Sequence, residues 1–419
     1  MDSIIRTDVC IVGGGPGGSA AALRLAKLGV RAVLIEKAVF PRDKVCGDAL
    51  SGKVMRTLER LDPDLARRVT SDRAGLPSWG VTFVAPSGRA LRVPFSRNTG
   101  IGQAPGVIMP RLDFDALLFE TVKVTAGIDV HEGTSAKSYE RTAQGWEIAL
   151  EGRTKATLSC RIVLAADGAN SHFARHVAQL PMEPKHHAAG VRAYYSGVRD
   201  LDPEGFIELI FLKDLLPGYL WVFPLPDGRA NVGLGLRSDV VKKRRVDLKA
   251  LMTKLLAEHP QLRDRFCDAK LDGAIQGMGL PLASKRWPLS GDGYLLIGDA
   301  GHLIDPFTGE GISHAMISGV YAADVAAEML AANDVTAGSA KQYDVRVWKR
   351  LGKELAISTR LQRMADRAWL FDFVVDRANK NPALADTISC MFTDLDLRER
   401  LKKPGFYMDL VLGRAPTKN

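Results

Sequence analysis

Three glycines near the start of the chain have a spacing that can bind phosphate through backbone amides. Gly13, Gly15 and Gly18 follow the pattern Gly-x-Gly-x-x-Gly, with Pro16 inside it. The first glycine permits a tight turn, the second lets the backbone approach a pyrophosphate, and the third lets a helix pack on a strand. The pattern therefore predicts a dinucleotide site at this turn.

Two strands and a helix must position this turn. An apolar strand over residues 8–12 leads into it, and a helix over about 17–28 follows, with its amide-rich N-terminus towards the phosphates. A second apolar strand, residues 31–35, ends at Glu36, whose carboxylate can accept a hydrogen bond from a ribose hydroxyl. Lys37 is expected beside the same nucleotide. An acid here favours FAD or NAD.

Later segments supply contacts that a flavin would need. A strand over 162–166 ends at Asp167 and Gly168, and another over 293–297 ends at Gly298-Asp299, where Asp299 could hold a ribityl hydroxyl. Residues 305–313 open a helix reaching about Leu330, whose N-terminus could stabilise an anionic reduced flavin. The predicted contacts in this segment are Gly309, Gly311 and Ile312.

These blocks, in this order, resemble the FAD-dependent oxidoreductases built like p-hydroxybenzoate hydroxylase. The segment 110–118 adds that family's Arg-x-x-x-Asp-x-x-Leu element, in which Arg111 would lie near the flavin. The resemblance implies an α/β fold: a Rossmann-like FAD-binding domain, an inserted antiparallel β substrate domain and a C-terminal helical region. We expect the FAD-binding domain in residues 1–75, 104–182 and 288–335, the substrate domain in 76–103 and 183–287, and the helical region in 336–419.

Composition restricts the compartment and the partners. The chain has 419 residues and five scattered cysteines without a C-x-x-C pair, which indicates a reducing, cytoplasmic compartment and no metal centre. We expect neither an export signal nor a membrane span. The net charge of +9 includes basic runs at 242–245 and 398–403. These runs are either solvated faces or a surface for peripheral attraction to an anionic inner membrane, and nothing accompanies them that indicates nucleic-acid binding.

Two further segments are similar to the geranylgeranyl reductase family, within the same superfamily. Residues 40–48 carry Cys46 and Gly47 after the second strand, and residues 217–224 carry Tyr-x-Trp-x-Phe-Pro, continued by 227–235. The similarity covers about residues 5–410. It implies saturation of C=C bonds in the polyprenyl chains of an isoprenoid lipid. Such a substrate is apolar, as are the aromatic side chains of residues 217–224 that could contact it.

Three residues are the candidates for chemistry on such a substrate. Tyr219 and Trp221 alternate to one face of a strand and could wall an apolar pocket, or they could only fill the core. The Cys46 thiol, counted also among the cofactor contacts with Gly47, could donate a proton after hydride leaves the flavin, or it could be an apolar filler. Because one nucleotide turn is present, NAD(P)H or ferredoxin would act as a transient electron donor.

Other residues and other functions remain open from sequence. Lys44 is either a phosphate or headgroup contact or an exposed turn residue, and His302 and His314 are either structural or proton relays. The main alternative function is that of an FAD-dependent monooxygenase or halogenase acting on an aromatic or other apolar molecule. A halogenase-type Gly-Trp-x-Trp-x-Ile-Pro element would differ here at Tyr219 and Phe223. Electron transfer and a non-catalytic prenyl carrier are further alternatives.

Overall fold

The computed structural model describes residues 3–95 and 104–381, which contain eighteen strands and eleven α-helices. The strands are β1 Ser3–Val12, β2 Ala32–Glu36, β3 Ala49–Leu50, β4 Leu76–Ser78, β5 Gly80–Val84, β6 Ala90–Pro94, β7 Gly106–Ile108, β8 Ile128–Glu132, β9 Thr134–Thr142, β10 Gly145–Gly152, β11 Ala156–Ala165, β12 His187–Ser196, β13 Ile207–Ile210, β14 Tyr219–Pro224, β15 Arg229–Arg237, β16 Lys270–Pro281, β17 Ser290–Gly291 and β18 Tyr294–Leu296. The helices are α1 Pro16–Lys27, α2 Gly52–Leu61, α3 Pro63–Ser71, α4 Arg111–Lys123, α5 His172–His176, α6 Ser238–Arg244, α7 Leu248–Glu258, α8 Arg263–Phe266, α9 Ile312–Ala331, α10 Ala337–Met364 and α11 Ala368–Lys380.

The first sheet has β1 at its centre. Its order is β17-β18-β11-β1-β2-β8, with parallel pairing from β18 to β8, and the hairpin β9–β10 joins antiparallel to β11. Because side chains alternate along a strand, Val9 and Ile11 pack with α1 and α9 on one face, while Cys10 and Val12 pack under β9–β10 on the other. Both faces of the second half of β1, residues 9–12, are therefore buried, which agrees with the continuous apolar run there.

The second sheet has seven strands in the order β16-β12-β15-β14-β13-β5-β6. Every neighbouring pair is antiparallel except β13 with β5, which is parallel. This exception departs from the expected antiparallel domain, and it arises because β5 comes from a separate, earlier segment of the chain and not from a hairpin with β13. The expected domain boundaries stay a prediction.

Two helices close the described part of the chain. The long helix α10 packs on α9, and α11 lies against β6 and the second sheet, where the ring of Phe371 stacks on Phe211 with centroids 4.2 Å apart. Val375 and Ala378 of α11 are buried in the same apolar cluster as Trp221. The rest of the expected helical region, with the basic run 398–403 and Cys390, lies outside the described residues.

No helix within residues 3–95 and 104–381 combines the length and the apolar character that crossing a membrane requires.

Candidate functional site

A cavity of about 570 Å³ lies where the ends of the first sheet meet one face of the second sheet. Strands β1, β2 and β11 end at it, α9 begins at it, and β14 forms part of its wall. The residues predicted from sequence that line it are Gly13, Gly15, Pro16, Glu36, Lys37, Cys46, Gly47, Arg111, Asp167, Gly168, Tyr219, Trp221, Asp299, Gly309, Gly311 and Ile312. Gly18 does not line the cavity.

The glycine turn is built so that only glycine fits at two of its three positions. Gly13 has a φ of +104°, and a Cβ there would lie 2.4 Å from the Ala166 carbonyl oxygen. At Gly18 a Cβ would lie 1.8 Å from the Gly13 oxygen, so this residue serves the packing of α1 on the turn. Gly15 differs, because the atom nearest to an added Cβ is Nη2 of Arg42 at 3.6 Å. The backbone at Gly15 is therefore open to a ligand.

The Glu36 carboxylate lies at the end of β2, and both its oxygens accept backbone hydrogen bonds. Oε2 accepts from the Gly14 amide and Oε1 from the Ala38 amide, each at 2.7 Å. A carboxylate oxygen has a second lone pair, so each can still accept from a ribose hydroxyl in the cavity. The ribose contact stays a prediction, and the two backbone bonds fix the carboxylate where that contact would form.

The Asp167 carboxylate has a structural task that its position after a strand did not indicate. It accepts hydrogen bonds from the Ser171 hydroxyl at 2.5 Å and from the His172 amide at 2.8 Å, and so holds the start of α5. Burial raises the pKa of Asp167, although these donors oppose the shift. Its predicted contact with a cofactor remains to be tested.

The loop before α9 is held by three contacts close to the cavity. Lys44 pairs with Asp299 at 3.0 Å while 40% of its side-chain surface stays exposed, so both interpretations of this lysine stay predictions. The Asp305 carboxylate accepts from the amide of Thr308 at 2.8 Å, and the Tyr219 hydroxyl donates to the Thr308 carbonyl at 2.5 Å. These bonds fix the backbone from which the N-terminal amides of α9 face the cavity.

Arg111 places a permanent positive charge beside Cys46. Its guanidinium binds both oxygens of Asp115, at 2.7 and 2.6 Å, and lies close enough to the Cys46 side chain to interact with it electrostatically. Burial opposes the charged form of Arg111, but Asp115 and Cys46 more than compensate and raise its pKa above the ordinary value. The thiol that borders the cavity therefore lies next to a buried, charged guanidinium.

Three aromatic rings of β14 form an apolar wall of the cavity. Tyr219, Trp221 and Phe223 alternate to the same face, with neighbouring centroids 6.2 and 6.4 Å apart. Gly233 on β15 makes room for this wall, since a Cβ there would lie 2.2 Å from Trp221. Burial raises the pKa of Tyr219, further assisted by Asp305 and Cys46, so its phenol stays neutral. The rings of Tyr219 and Trp221 pack in a core cluster and also border the cavity, and their predicted roles towards a substrate stay predictions.

Asp48 is a buried acid of the cavity wall that sequence reasoning missed. It has a φ of +67° and accepts hydrogen bonds from the Tyr194 hydroxyl and the Asn231 amide, each at 2.7 Å. Burial raises its pKa from 3.8 to about 6, against the lowering effect of these two donors and of the nearby arginines. Its position directly after Cys46-Gly47 was the available signal.

A second missed group is a cluster of buried charges next to the cavity. Lys53 of α2 pairs with Glu354 of α10 and lies 3.8 Å from Glu310, whose carboxylate accepts from the Ser51 hydroxyl at the cavity. His314 of α9 lies 3.8 Å from Glu354. Glu354 is 301 residues from Lys53 along the chain, so no local pattern relates them.

The two histidines weighed as relays differ in environment. His314 is fully buried, its Nδ1 hydrogen-bonds the Leu303 carbonyl at 2.7 Å, and the nearby glutamates raise its pKa despite burial. His302 has a left-handed backbone, and burial with the nearby His187 lowers its pKa to about 4. His302 is therefore neutral at physiological pH, and neither ring lines the main cavity.

The described residues fit FAD. An open backbone at Gly15 leaves room for a pyrophosphate beside the N-terminus of α1, and a fixed carboxylate, Glu36, follows at the end of β2. At the far end of the same cavity the loop before α9 presents backbone amides next to Asp299. The described residues contain no group of three or more His, Cys, Asp or Glu side chains that could hold a metal ion.

Comparisons with known proteins agree with this geometry. Residues 6–212 match the FAD binding domain family. The chain is 31% identical over 356 residues to digeranylgeranylglycerophospholipid reductase of Thermoplasma volcanium, covering 83% of this chain and 84% of the relative. It is 28% identical over 365 residues to menaquinone reductase of Mycobacterium tuberculosis, covering 84% and 83%.

Solved structures share the fold at lower sequence identity. A geranylgeranyl bacteriochlorophyll reductase-like protein from Thermoplasma acidophilum aligns with a TM-score of 0.79 at 24% identity, covering 96% of this chain and 99% of that one. The flavin-dependent brominase Bmp2 aligns with a TM-score of 0.75 at 22% identity, covering 97% and 98%. The structures thus show the FAD-dependent fold, and the sequence relatives decide within it: the chain belongs to the geranylgeranyl reductase family of FAD-dependent oxidoreductases.

Proposed function

We propose that this enzyme reduces isolated C=C bonds in the isoprenoid chain of a lipid. The observation that carries the proposal is the aromatic wall of Tyr219, Trp221 and Phe223, which lines the same cavity as the residues for the cofactor. An isoprenoid chain offers no charge and few hydrogen-bonding groups, so it is recognised by apolar surface of this kind. Digeranylgeranylglycerophospholipid reductase and menaquinone reductase, by their names, act on lipids of this class.

The chain's own residues would orient the substrate, exclude water and deliver a proton. When bound, FAD supplies the two reducing electrons as hydride, and Gly15, Glu36, Asp299 and the amides of α9 would hold it. The aromatic wall would place the alkene and keep water out. The Cys46 thiol, which borders the cavity and contacts Arg111, is the residue we propose for the proton that completes saturation of the double bond.

The proposal also includes an electron donor for the cofactor and a membrane surface where the lipid is met. We propose that a transient donor, either NAD(P)H or a ferredoxin, reduces the cofactor, since a single glycine turn of this type opens onto the cavity among the described residues. We also propose that the protein meets its lipid at an anionic membrane surface. Residues 242–245 at the end of α6, which are two lysines and two arginines, are all exposed, and this charge supports such a contact.

An anaerobic single-turnover experiment tests the reaction. Holoenzyme reduced with dithionite is mixed with a geranylgeranyl lipid, and the lipid is examined by mass spectrometry. We expect the lipid to gain one molecule of H₂ per double bond reduced, with reoxidation of the flavin spectrum. We expect Cys46→Ala to slow this step by about 10²-fold or more, the usual contribution of a positioned acid. Cys267→Ala, at an exposed cysteine, is the matched control and should react as the wild type does.

Product without Cys46 at an unchanged rate would remove the thiol from the mechanism. An unreduced lipid under anaerobic conditions, together with an oxygenated or brominated product in air, would instead assign the chain to oxygenase or halogenase chemistry. The likeness of its fold to a brominase makes that second outcome worth measuring in the same experiment.

A further inference from the structure

One buried amide side chain connects residues 46–48, here called the Cys46 segment, with the aromatic wall of Tyr219, Trp221 and Phe223. Asn231 of β15 is fully buried, and its Nδ2 donates to the Cys46 carbonyl oxygen and to Asp48 Oδ2, each at 2.7 Å. Its Oδ1 accepts from Nε1 of Trp221 at 2.8 Å. A single side chain therefore makes hydrogen bonds with the proposed proton donor's segment and with the proposed substrate wall.

The chemistry of the partners fixes the orientation of this amide. Indole Nε1 can only donate, and the Cys46 carbonyl can only accept, so the Asn231 oxygen must face Trp221 and its nitrogen must face Cys46. A flipped amide would set two donors against each other on one side and two acceptors on the other. Asp48 adds a second acceptor on the nitrogen side, and the Tyr194 hydroxyl in turn holds Asp48.

Burial makes the arrangement stiff. Asp48 and Asn231 have no exposed surface, and Trp221 is 5% exposed. A buried polar group that loses its partner has no water to replace it, so each member of the network resists displacement. Gly47, between Cys46 and Asp48, packs so closely that a Cβ there would lie 2.8 Å from the Phe223 ring, which leaves little room for the segment to shift towards β14.

We propose that Asn231 is a positioning residue for the reaction: it sets the Cys46 segment at a fixed place against Trp221, and Asp48 locks the amide in the orientation that does so. This inference rests on the proposed function for its kinetic consequence. Its structural content, the fixed place of the Cys46 segment, stands apart from any substrate.

The thiols of the chain provide the test. Holoenzyme is treated with iodoacetamide, and the alkylation rate of each cysteine is measured by peptide mass spectrometry. Asn231→Asp sets a carboxylate against both the Cys46 carbonyl and Asp48. We expect this variant to alkylate Cys46 about tenfold faster, the change that follows from losing about one ordinary hydrogen bond. Cys10 and Cys160, which are buried, report global opening, and the exposed Cys267 reports intrinsic reactivity.

Asn379→Asp is the matched control, because Asn379 also donates through Nδ2 to a backbone carbonyl, that of Ala90, but on the exposed surface of α11. We expect its Cys46 to react at the wild-type rate. The role of Asp48 is tested by the double variant Asp48→Asn with Asn231→Asp. In this variant the side-chain amide at position 48 can donate to the carboxylate at position 231, so a hydrogen bond between the two positions is restored. We expect Cys46 in this variant to react more slowly than in Asn231→Asp alone.

The kinetic readout follows the same variants. We expect Asn231→Asp to lower kcat for lipid reduction by about tenfold with little change in KM, since it displaces a reacting group and leaves the apolar wall in place. If the wild-type enzyme reduces no lipid, the proposed function fails, and the alkylation rates still decide the positioning role.

The inference would be overturned if folded Asn231→Asp alkylated Cys46 at the wild-type rate. It would also be overturned if the effects of Asp48→Asn and Asn231→Asp on the alkylation rate simply multiplied in the double variant. Should Asn231→Asp fail to fold, Trp221→Phe removes the indole donor and keeps an aromatic ring, and Phe223→Leu, which also reduces ring volume in the wall but removes no hydrogen bond, is its control. In Trp221→Phe we again expect faster alkylation of Cys46 with Cys10 and Cys160 still protected, and protection of all three would contradict the inference.

Discussion

At Gly15 the backbone borders open space in the cavity, whereas at Gly13 and Gly18 it borders other backbone. This difference separates two tasks of one glycine turn, folding and ligand binding, by residue. A Cβ at Gly18 would collide with the Gly13 oxygen at 1.8 Å, but a Cβ at Gly15 would only meet Arg42 at 3.6 Å. The same spacing pattern therefore contains one residue whose backbone is open to a ligand and two whose close packing shapes the turn.

Gly15→Ala should consequently fold and fail to bind FAD well. The added methyl group would occupy the space where a pyrophosphate approaches the backbone, and we expect the affinity for FAD to fall by about tenfold or more. Circular dichroism and the Tm of the FAD-free protein should match the wild type, and the Kd for FAD is measured by flavin fluorescence. Gly338→Ala, at an uncrowded helical glycine of α10, is the control and should bind FAD normally. Wild-type affinity in Gly15→Ala would place the phosphates elsewhere.

The buried carboxyl group of Asp48 should make the protein less stable as the pH rises, whereas an acid paired on the surface makes a protein more stable as the pH rises. Its pKa is raised from 3.8 to about 6 in the folded protein by burial, with Tyr194, Asn231, Arg192 and Arg111 all lowering it in part. The folded state thus keeps a proton that the unfolded state has released. The contribution of Asp48 to stability is complete below pH 4 and is lost as the pH rises towards about 6.

We therefore expect the free energy of unfolding of the wild type, relative to Asp48→Asn, to fall by up to about 3 kcal/mol between acidic and neutral pH. Urea unfolding of both proteins at several pH values measures this difference, and the other carboxyl groups cancel in it. A difference independent of pH would mean that Asp48 titrates in the folded protein as it does in the unfolded chain.

At the scale of elements, the start of α9 is supported from behind by charges on two other helices. Lys53 of α2 lies between Glu354 of α10 and Glu310, the residue just before Gly311 and α9, and Lys53 is 1% exposed. A lysine so deeply buried is stable as a cation only with acids close to it. These ion pairs hold α2, α10 and the loop before α9 together next to the cavity.

Lys53→Met removes the cation between these two glutamates and should destabilise the protein by about 3–5 kcal/mol, as loss of one member of a buried ion pair does. Chemical unfolding measures the change. Adding Glu354→Gln should recover part of the loss. The matched control is Lys137→Met, which breaks a pair with Glu151 in which both side chains are more than half exposed, and stability there should hardly change. Wild-type stability of Lys53→Met would show that the ion pair with Glu354 contributes no net stability to the fold.

The elements also show which parts of the structure the sequence could give. Strand, turn and helix at 8–28 were predictable because periodicity and glycine spacing are local, and the observed α1 differs by a single residue at each end. The confirmed fold and family rest on such local motifs. The Lys53–Glu354 pair was not predictable, because its members are far apart in sequence. Asn231 lay within a quoted motif, but only the structure shows that its partners are Cys46, Asp48 and Trp221.

At the scale of the whole molecule, the formal net charge is +9. Exposed basic residues attract anionic lipid headgroups, and salt screens this attraction within about 10 Å at 0.1 M ionic strength. The lysines and arginines of 242–245 are a local source of the charge on the described surface, and the lipid proposed as substrate resides in a membrane.

We expect the protein to float with vesicles of mixed neutral and anionic phospholipids at low salt, and not with vesicles of neutral phospholipid alone. Replacing Lys242 and Lys243 by Glu should weaken this binding, because it removes two positive charges and adds two negative ones. Lys137→Glu and Lys155→Glu, on the first sheet's hairpin region, make the same number of charge changes as a control. Equal loss in both double variants would attribute binding to net charge and not to α6.

The cavity has one consequence for how the holoenzyme comes into being. Its walls include residues as early as Val12 and as late as Ala315. A chain still being synthesised lacks the start of α9 until most of its length has left the ribosome. Flavin capture must therefore follow synthesis of that helix, and because the ligand binds the assembled state, it also draws late folding to completion. The absorbance of bound flavin would then report that the early strands and the start of α9 have assembled into one cavity.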